Sequence, residues 1–377
     1  MGSPISIQAH FAQLHDPRDP DACEHKLLDI LVIALCAVIC GAEHFTEMEV
    51  FGQAKEKWFR TFLALPNGIP SHDTFRRVFM LLDREQMQTC FRNWVREVAR
   101  LQIGEVVSLD GKWLTGTATG GMNFSAAKMV SAWASEAGLV LGQRGVAEGS
   151  NEIAAVPELL KALYLRGCIV TMDAAHCQTE NTRLIVEAGA DYVLAVKDNQ
   201  GTLYEDIRRT LSTKRRRTSS MSNTRVETRD DGHGRLEIRR YVLITDPTYI
   251  DYINHTGHWH ALRSIGRVER ERRVGDTVEH HTAYFISSLN TDAADFERAV
   301  RRHWNIENEL HWRLDVALRE DDCRVRTARA VENFAVMRHI ALNLLKRDTS
   351  LKVGVKSKRL AAGWDHDYLL KLLTGEP

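Results

Sequence analysis

Three acidic residues, Asp110, Asp173 and Glu307, have the side chains and the sequence contexts needed to bind divalent metal ions. Asp110 ends the apolar run Val106–Leu109, and Asp173 ends the apolar run Ile169–Met172. Glu307 lies in a segment whose apolar residues recur every three or four positions, which predicts a helix. Carboxylate oxygens are the ligands that Mg²⁺ and Mn²⁺ prefer. Two such ions together can perform phosphodiester cleavage and joining.

The elements around the two aspartates predict an α/β layer. Between residues 101 and 211, strand-like apolar runs alternate with amphipathic helices, which is typical of a partly parallel sheet. Ligands of such sheets bind beyond the carboxyl ends of the strands, where Asp110 and Asp173 are predicted to lie. The alternative is that each aspartate only forms a turn at a strand end, which is a common role.

A long amphipathic helix is predicted from Ala293 to Leu318. In this helix Glu307 is expected to face the domain, whereas Glu309, about 200° further round, is expected to face solvent. The alternative role for Glu307 is an ion pair with a histidine or arginine. The predicted inward-facing residues are Phe296, Val300, His303, Glu307, Leu310, Leu314 and Ala317.

Basic residues near these positions are candidates for binding nucleic acid. Lys112 and Lys197 each follow a predicted strand and are candidates for phosphate contacts, the alternative being ordinary solvated lysines. Arg215 and Arg216 belong to a stretch, 208–217, in which six of ten residues are basic. Such a stretch either binds a polyanion or is simply solvated, and we favour DNA.

Composition excludes several classes of protein. The 377 residues are 44% hydrophobic and 27% charged, as in an average globular protein, and the formal net charge is zero. The seven cysteines include no Cys-x2-Cys pair, which argues against a disulfide framework or a structural zinc site. The longest apolar run, Ile30–Cys40, is shorter than the roughly 18 residues of a membrane span. We therefore expect a cytoplasmic protein without a membrane partner.

Five segments are predicted along the chain. Residues 1–100 form a helical domain, in which a turn at Pro66–Gly68 and a helix over His72–Leu82 are compatible with DNA-end binding. Residues 101–211 form the first part of the α/β core. A β-rich insertion (212–290), the last part of the core with the long helix (291–350) and a C-terminal tail (351–377) follow.

Four motifs in order make the sequence resemble bacterial insertion-sequence DDE transposases of the H-repeat-associated kind. They contain the three carboxylates and the strand that precedes Lys197. The N-terminal segments Pro70–Phe75 and Arg77–Phe79 are also similar to the helical leader of that family. The four motifs are Ser108–Lys112, Thr171–Gln178, Tyr192–Gln200 and His303–Asn308.

The resemblance implies a fold, an activity and a set of partners. It implies an RNase H-like mixed sheet flanked by helices, with an all-helical N-terminal domain and a β-rich insertion. It implies that Asp110, Asp173 and Glu307 bind two Mg²⁺ or Mn²⁺ ions for cleavage at element ends and strand transfer into target DNA. The expected partners are double-stranded DNA, at transposon ends and target, and a second subunit in a synaptic complex. Nucleoid association is expected when DNA is bound.

The sequence also departs from a pattern of the wider superfamily, Tyr-x2-Arg-x3-Glu-x6-Lys. Aligned on Glu307, the other three positions are Val300, His303 and Leu314. Arg301 and Arg302, or Arg319, are therefore candidates for the phosphate contacts of the missing arginine and lysine. Two other functions stay open at this point: a catalytically silent DNA-binding descendant, and an RNase H-like nuclease without strand transfer.

Overall fold

A computed structural model describes residues 6–118, 126–147, 149–212, 223–232 and 234–375. The chain divides into two compact units. Unit 1 comprises Met1–Arg100, Gly111–Ser150 and Glu307–Pro377. Unit 2 comprises Leu101–Asp110 and Asn151–Ile306. Asp110 and Asp173 therefore belong to unit 2, whereas Glu307 begins the last segment of unit 1.

The described residues form a mixed α/β structure with many helices and a large mixed sheet. The strands are β1 (Val106–Leu114), β2 (Ala127–Ala134), β3 (Leu139–Gly145), β4 (Ile169–Met172), β5 (Asp191–Val196), β6 (Asn223–Gly232), β7 (Arg235–Ile244), β8 (Ser264–Val274) and β9 (Thr277–Ser287). The helices are α1 (Ser6–Phe11), α2 (Leu27–Cys40), α3 (Phe45–Ala54), α4 (Glu56–Phe59), α5 (His72–Leu81), α6 (Arg84–Val98), α7 (Glu152–Ala162), α8 (Thr179–Glu187), α9 (Gly201–Ser212), α10 (Pro247–Ile253), α11 (Ala293–His303), α12 (Trp312–Leu318), α13 (Ala328–Arg347), α14 (Val355–Trp364) and α15 (His366–Thr374).

In unit 2 the strand order is β1-β4-β5-β9-β8-β7-β6. The first part of β1 pairs in parallel with β4, and β4 pairs in parallel with β5. The remaining strands are antiparallel to their neighbours. Parallel strands place their carboxyl ends at the same edge of a sheet, so Asp110, which follows the part of β1 paired with β4, shares one edge with the residues that follow β4 and β5.

The strands of the segment 212–290 continue this sheet beyond β5. Their presence agrees with the predicted β-rich insertion, although apolar patterning does not detect β6, because the sequence of β6 is polar. Cross-strand ion pairs take the place of apolar contacts here: Arg240 Nε lies 2.8 Å from Glu227 Oε2, and Arg239 Nη1 lies 2.7 Å from Asp230 Oδ2. Opposite charges on neighbouring strands stabilise their pairing, which a search for apolar alternation cannot detect.

Helix α11 packs on one face of the sheet of unit 2. Its buried residues Phe296 and Ala299 belong to a core cluster with Val106 of β1, Ile169 of β4 and Val193 of β5. These strand residues lie on the face that α11 covers. Because side chains alternate along a strand, every second residue from Val106 and Ile169 onward also faces α11.

This packing leads to a prediction for Gly266 in β8. A Cβ at this position would lie 2.3 Å from Cζ of Phe296, a ring that is 1% exposed and packed on all sides. We expect Gly266→Ala to lower the free energy of unfolding by about 1–3 kcal/mol, as overpacking does in other cores. Urea unfolding measures the change. Gly201→Ala, where no atom lies within 4 Å of the added Cβ, is the control and should be neutral or slightly stabilising.

Unit 1 contains the helices of the N-terminal region, β2 and β3, and the C-terminal helices. Residues Ile30–Ile39 of α2 are all buried, as expected for a helix that is apolar on every side. Ser71 caps α5, since its Oγ accepts a hydrogen bond from the Thr74 amide at 3.3 Å. The chain before it forms α3 and the short α4 and not one continuous helix, because Lys55 leaves the helical conformation.

In the part of the chain that the structure describes, the helices are expected to be too short or too polar to cross a membrane, and their lengths and compositions can be compared with that expectation. None of its individual helices has both the length and the apolar character to cross a membrane. Only the pair Leu27–Cys40 and Phe45–Ala54, bent by 96°, reaches that length and composition when combined.

Candidate functional site

Asp110 and Asp173 lie on neighbouring parallel strands of unit 2. Leu109 of β1 is in register with Met172 of β4, and the two aspartates are the next residues on each strand. Neighbouring strands are about 4.8 Å apart, so the two carboxylates belong to one small region of the sheet edge. Asp173 directly follows β4 as predicted, whereas Asp110 lies within β1, which continues to Leu114 beyond its pairing with β4. Their role as metal ligands stays a prediction.

The Asp173 carboxylate has the character expected of a cation ligand. Its Oδ1 atom is buried and accepts no hydrogen bond from any described residue. The ring nitrogen Nε2 of the buried His176 lies 3.9 Å from that oxygen, beyond hydrogen-bond distance. A buried carboxylate oxygen without a donor is unfavourable unless a cation or water satisfies it. The donor atoms at this edge therefore suit a hard divalent ion.

A complete metal centre is not defined by the described residues alone. Within the ranges 6–118, 126–147, 149–212, 223–232 and 234–375, no three His, Cys, Asp or Glu side chains are grouped so as to hold an ion. Two aspartates supply fewer ligands than a divalent ion in a protein requires, so any bound ion needs further oxygen ligands.

Lys197 lies at the same edge of unit 2. It follows β5 directly and is exposed. The loop after it is joined to the loop after Asp173 by two hydrogen bonds: Asn199 Nδ2 donates to the Ala174 carbonyl at 2.8 Å, and Gln200 Nε2 donates to the Cys177 carbonyl at 2.9 Å. The edge thus carries an exposed ammonium group beside the carboxylates, although its contact with DNA stays a prediction.

A chain of hydrogen bonds lies just below the two aspartates. Thr171 Oγ1 donates to Ser108 Oγ at 3.0 Å, and Ser108 Oγ donates to the carbonyl of Arg302 at 3.4 Å. Nδ1 of His303, the last residue of α11, lies 3.1 Å from Thr171 Oγ1. These contacts fasten β1, β4 and the end of α11 to one another. Sequence reasoning includes His303 in the inward stripe but does not identify this role.

The imidazole of His303 is held in its neutral form. Burial disfavours the charged ring and lowers its pKa to about 4, although the nearby Asp173 carboxylate acts in the opposite direction. At neutral pH the ring therefore carries a proton on only one of its two nitrogens, and its hydrogen bonds determine which one.

The predicted DNA-binding arginines are in different situations. Arg301 Nη1 lies 3.0 Å from Asp230 Oδ2 in unit 2, so its charge is partly balanced within the protein. Arg302 accepts the Ser108 hydrogen bond through its backbone carbonyl. Arg215 and Arg216 lie outside the described residues. The DNA contacts of all four arginines stay predictions.

Lys112 lies in unit 1 and contacts three carboxylates. Its Nζ binds Asp315 Oδ1, lies 2.9 Å from Glu320 Oε2 and 3.5 Å from Asp321 Oδ1. Burial by itself would lower the pKa of Lys112, but Glu320 and Asp315 outweigh it and raise the pKa above its usual value. With a side chain only 12% exposed, Lys112 is not the solvated or phosphate-ready lysine expected from sequence. Asp321 is also part of this cluster.

The buried His339 and the half-buried His311 line a small cavity with Lys112 and Glu320. Gln143 and Ser131 also belong to its polar lining. Gln143 Oε1 accepts no hydrogen bond from the described part of the chain. Burial lowers the pKa of both histidines to about 4, so both rings are neutral at pH 7.

These two histidines predict loss of stability in mild acid. Because the unfolded rings titrate near 6.5, the unfolded chain binds protons between pH 6.5 and 4 that the folded chain does not. We expect the free energy of unfolding to fall as pH falls through this window, by up to about 1.4 kcal/mol per pH unit for each histidine. Urea unfolding at pH 7.5, 6 and 5 measures the slope. His339→Gln should reduce it, and an unchanged slope would contradict the assignment.

Glu307 is exposed, and the prediction that it faces the domain is wrong. Helix α11 ends at His303, and Ile306–His311 forms a π-helical turn. A π-turn holds more residues than the 3.6 of an α-helix, so Ile306 takes the inward position predicted for Glu307. Leu310, Leu314 and Ala317 are buried as predicted. An exposed carboxylate is still free to bind an ion, so the role of Glu307 stays a prediction.

Glu309 is not the solvated residue that the uninterrupted helix predicts. Its side chain is 39% exposed, and Oε2 lies 2.7 Å from Lys346 Nζ and 3.4 Å from Arg313 Nε. Burial raises the pKa of Glu309, but Lys346 and Arg313 outweigh this effect and hold it below its usual value. Glu309 is therefore a structural ion-pair partner within unit 1.

Two family profiles match the sequence. Residues 8–95 match the family described as DDE_Tnp_1-associated, and residues 74–344 match the Transposase DDE domain family. The first corresponds to the helical N-terminal region, and the second contains all three carboxylates.

Relatives and solved structures were also compared. The chain is 35% identical over 373 residues to "H repeat-associated putative transposase YhhI" of Escherichia coli K12, covering 98% of each protein. It is 35% identical to "Putative transposase YncI" of Escherichia coli O157:H7, covering 98% of this chain and 95% of the relative. A piggyBac transposase synaptic complex with hairpin DNA aligns over 98% of this chain and 75% of that chain. The TM-score is 0.43 and the identity 10%.

The motif-based resemblance is confirmed by these matches. The transposase profile spans well over half of the 377 residues, and the relatives align from end to end. The protein belongs to the DDE transposase family, and within it resembles the H-repeat-associated members.

Proposed function

We propose that this protein cleaves DNA at the ends of its own element and joins the strands to target DNA. Asp110, Asp173 and Glu307 are the carboxylates that we assign to two Mg²⁺ or Mn²⁺ ions. The observation that carries the proposal is the pair of aspartates on adjacent parallel strands, with a buried Asp173 oxygen that no described residue satisfies. Because the chain belongs to the DDE transposase family, we take this pair of aspartates as the centre of the proposed active site.

The aspartates and lysines near the proposed site have different roles in the proposed reaction. When bound, the ions lower the pKa of a water or hydroxyl and stabilise the leaving oxygen. Asp110 and Asp173 supply negatively charged oxygens from rigid strands, which keeps the ligand positions fixed. Lys197, exposed at the same edge, is suited to neutralise a DNA phosphate next to the scissile bond. Lys112 would have to leave its three carboxylates to do the same.

The remaining assignments concern the fold and the partner. We propose an RNase H-like core, with double-stranded DNA bound by Lys197, Arg215, Arg216, Arg301 and Arg302. Phosphate contacts of this kind position DNA without reading its sequence, so binding should weaken steeply with salt. A homodimer would allow two element ends to be cut in one complex.

The proposal is tested with purified protein, Mn²⁺ or Mg²⁺, and a supercoiled plasmid carrying the inverted repeats that flank the gene. We expect metal-dependent nicking at the repeats and joined strand-transfer products. DNA binding without nicking would favour a catalytically silent descendant. Nicking without any joined product would favour a nuclease. Chelation by EDTA should stop both reactions while leaving DNA binding largely intact.

A further inference from the structure

The hydrogen bonds below the two aspartates fix the position of the proton on His303. A backbone carbonyl only accepts, so Ser108 must donate its hydroxyl proton to the Arg302 carbonyl. Ser108 Oγ is then the acceptor for the Thr171 hydroxyl proton. With its own proton used, Thr171 Oγ1 accepts from Nδ1 of His303. The ring is therefore the Nδ1–H tautomer, and Nε2 carries a lone pair.

The same chain sets the position of the ring relative to the aspartates. Ser108 is two residues before Asp110, and Thr171 is two residues before Asp173. Alternation along a strand puts each hydroxyl and the following aspartate on one face. The backbone of Asp173 is still extended, so this relation holds at the end of β4. His303 thus contacts the row of side chains directly beneath the carboxylates.

Nε2 is available to a ligand on this face. His303 is only partly buried, and the hydrogen bond from Nδ1 is the one it makes with the described residues. The nearest electrostatic partners of the ring are Asp173 and His176, which lie at the same sheet edge. A neutral imidazole nitrogen beside a metal-binding carboxylate accepts a hydrogen bond from an O–H group.

We propose that His303 Nε2 accepts a hydrogen bond from the attacking O–H group bound beside Asp173, either water or the terminal 3′-hydroxyl of a DNA strand. This identification of the ligand rests on the proposed function. The contribution of His303 is to orient the O–H group, and Ser108 and Thr171 act as positioning residues that hold the tautomer.

Two amide variants separate the two nitrogens of the ring. Asparagine places an amide nitrogen close to the position of Nδ1, so His303→Asn keeps a donor to Thr171 and removes the acceptor. Glutamine reaches the position of Nε2, so His303→Gln keeps an acceptor there and loses the donor to Thr171. Both amides are neutral and polar. The pair is matched in chemistry and differs only in which hydrogen bond survives.

We expect His303→Asn to slow cleavage at saturating DNA by about 10- to 100-fold, the usual effect of one lost hydrogen bond to a reacting group. Its melting temperature and DNA affinity should stay at the wild-type values. His303→Gln should retain most of the cleavage rate and melt a few degrees lower. If water and the 3′-hydroxyl both donate to Nε2, the rates of nicking and strand transfer should fall together. If only water does, the nicking rate alone should fall, and if only the 3′-hydroxyl does, the strand-transfer rate alone should fall. Wild-type rates for both steps in His303→Asn overturn the proposal.

The tautomer is measured independently of activity. The full-length protein is labelled with ¹⁵N-histidine, and the ring signals that disappear in His303→Asn are those of His303. At pH 7.5 without metal we expect a protonated Nδ1 and an unprotonated Nε2. A protonated Nε2 overturns the proposal whatever the activity. If the wild type never nicks DNA, the proposed function fails, while the ¹⁵N spectrum still decides whether Nε2 is an acceptor.

Discussion

Replacing Asp110 or Asp173 by asparagine is expected to abolish DNA cleavage while DNA binding survives. Asparagine keeps the size of the side chain but removes the charge that a divalent ion requires. Loss of a residue that only supports a metal ligand reduces activity roughly 10- to 100-fold, so loss of a ligand itself should exceed about 100-fold. Glu307→Gln is expected to behave in the same way. Plasmid nicking and a gel-shift assay with end DNA measure the two properties.

Glu309→Gln is the matched control, since it is the same substitution two residues away. Glu309 is paired with Lys346 and Arg313 and is more than one-third exposed, so its loss should change stability by at most about 1 kcal/mol. Cleavage should stay at the wild-type rate. An inactive Glu309→Gln together with an active Glu307→Gln would remove Glu307 from the proposed set of ligands.

Lys112→Met is expected to lower the free energy of unfolding by about 3–5 kcal/mol. The substitution leaves Glu320, whose side chain is 3% exposed, without the ammonium group 2.9 Å away. Arg338 and His339 also attract Glu320, but a buried charge that loses a hydrogen-bonded partner is strongly destabilising, because water cannot replace that partner. Urea unfolding at pH 7.5 measures the effect. Lys197→Met, at an exposed lysine, should change stability by less than about 0.5 kcal/mol.

The double variant Lys112→Met with Glu320→Gln tests the cause. If the unpaired Glu320 charge is responsible, removing it should restore part of the stability, and the double-mutant cycle should show strong coupling. Independent, additive effects would indicate that Lys112 stabilises the protein through its aliphatic stem alone. A loss below about 1 kcal/mol in Lys112→Met would contradict the buried cluster altogether.

The aspartate pair and its strands could be predicted from sequence because the signals are local. Short apolar runs that end in a polar residue define strand ends, and the ends of β4 and β5 agree with them, whereas β1 continues past Asp110 to Leu114. The family membership also rests on contiguous motifs. In these regions each residue is specified by its immediate neighbours, so no knowledge of the tertiary structure was required.

Other features depend on partners far along the chain. Strand β6 has no apolar alternation and exists through its pairing with β7. Lys112 meets Glu320 208 residues later, and nothing near Lys112 in sequence indicates that it is buried. Thr171 and His303 are 132 residues apart, so the tautomer of that ring is invisible in the sequence.

The exposure of Glu307 is another feature that the sequence pattern alone does not predict. The spacing of apolar residues determined that a helical segment with a buried stripe exists there. The tertiary structure decided which residues form the stripe, since the π-turn Ile306–His311 buries Ile306 and exposes Glu307. Sequence periodicity assumes a constant 3.6 residues per turn, and a local change in winding alters which residue of that turn faces the core, while Leu310, Leu314 and Ala317 beyond it keep their predicted burial.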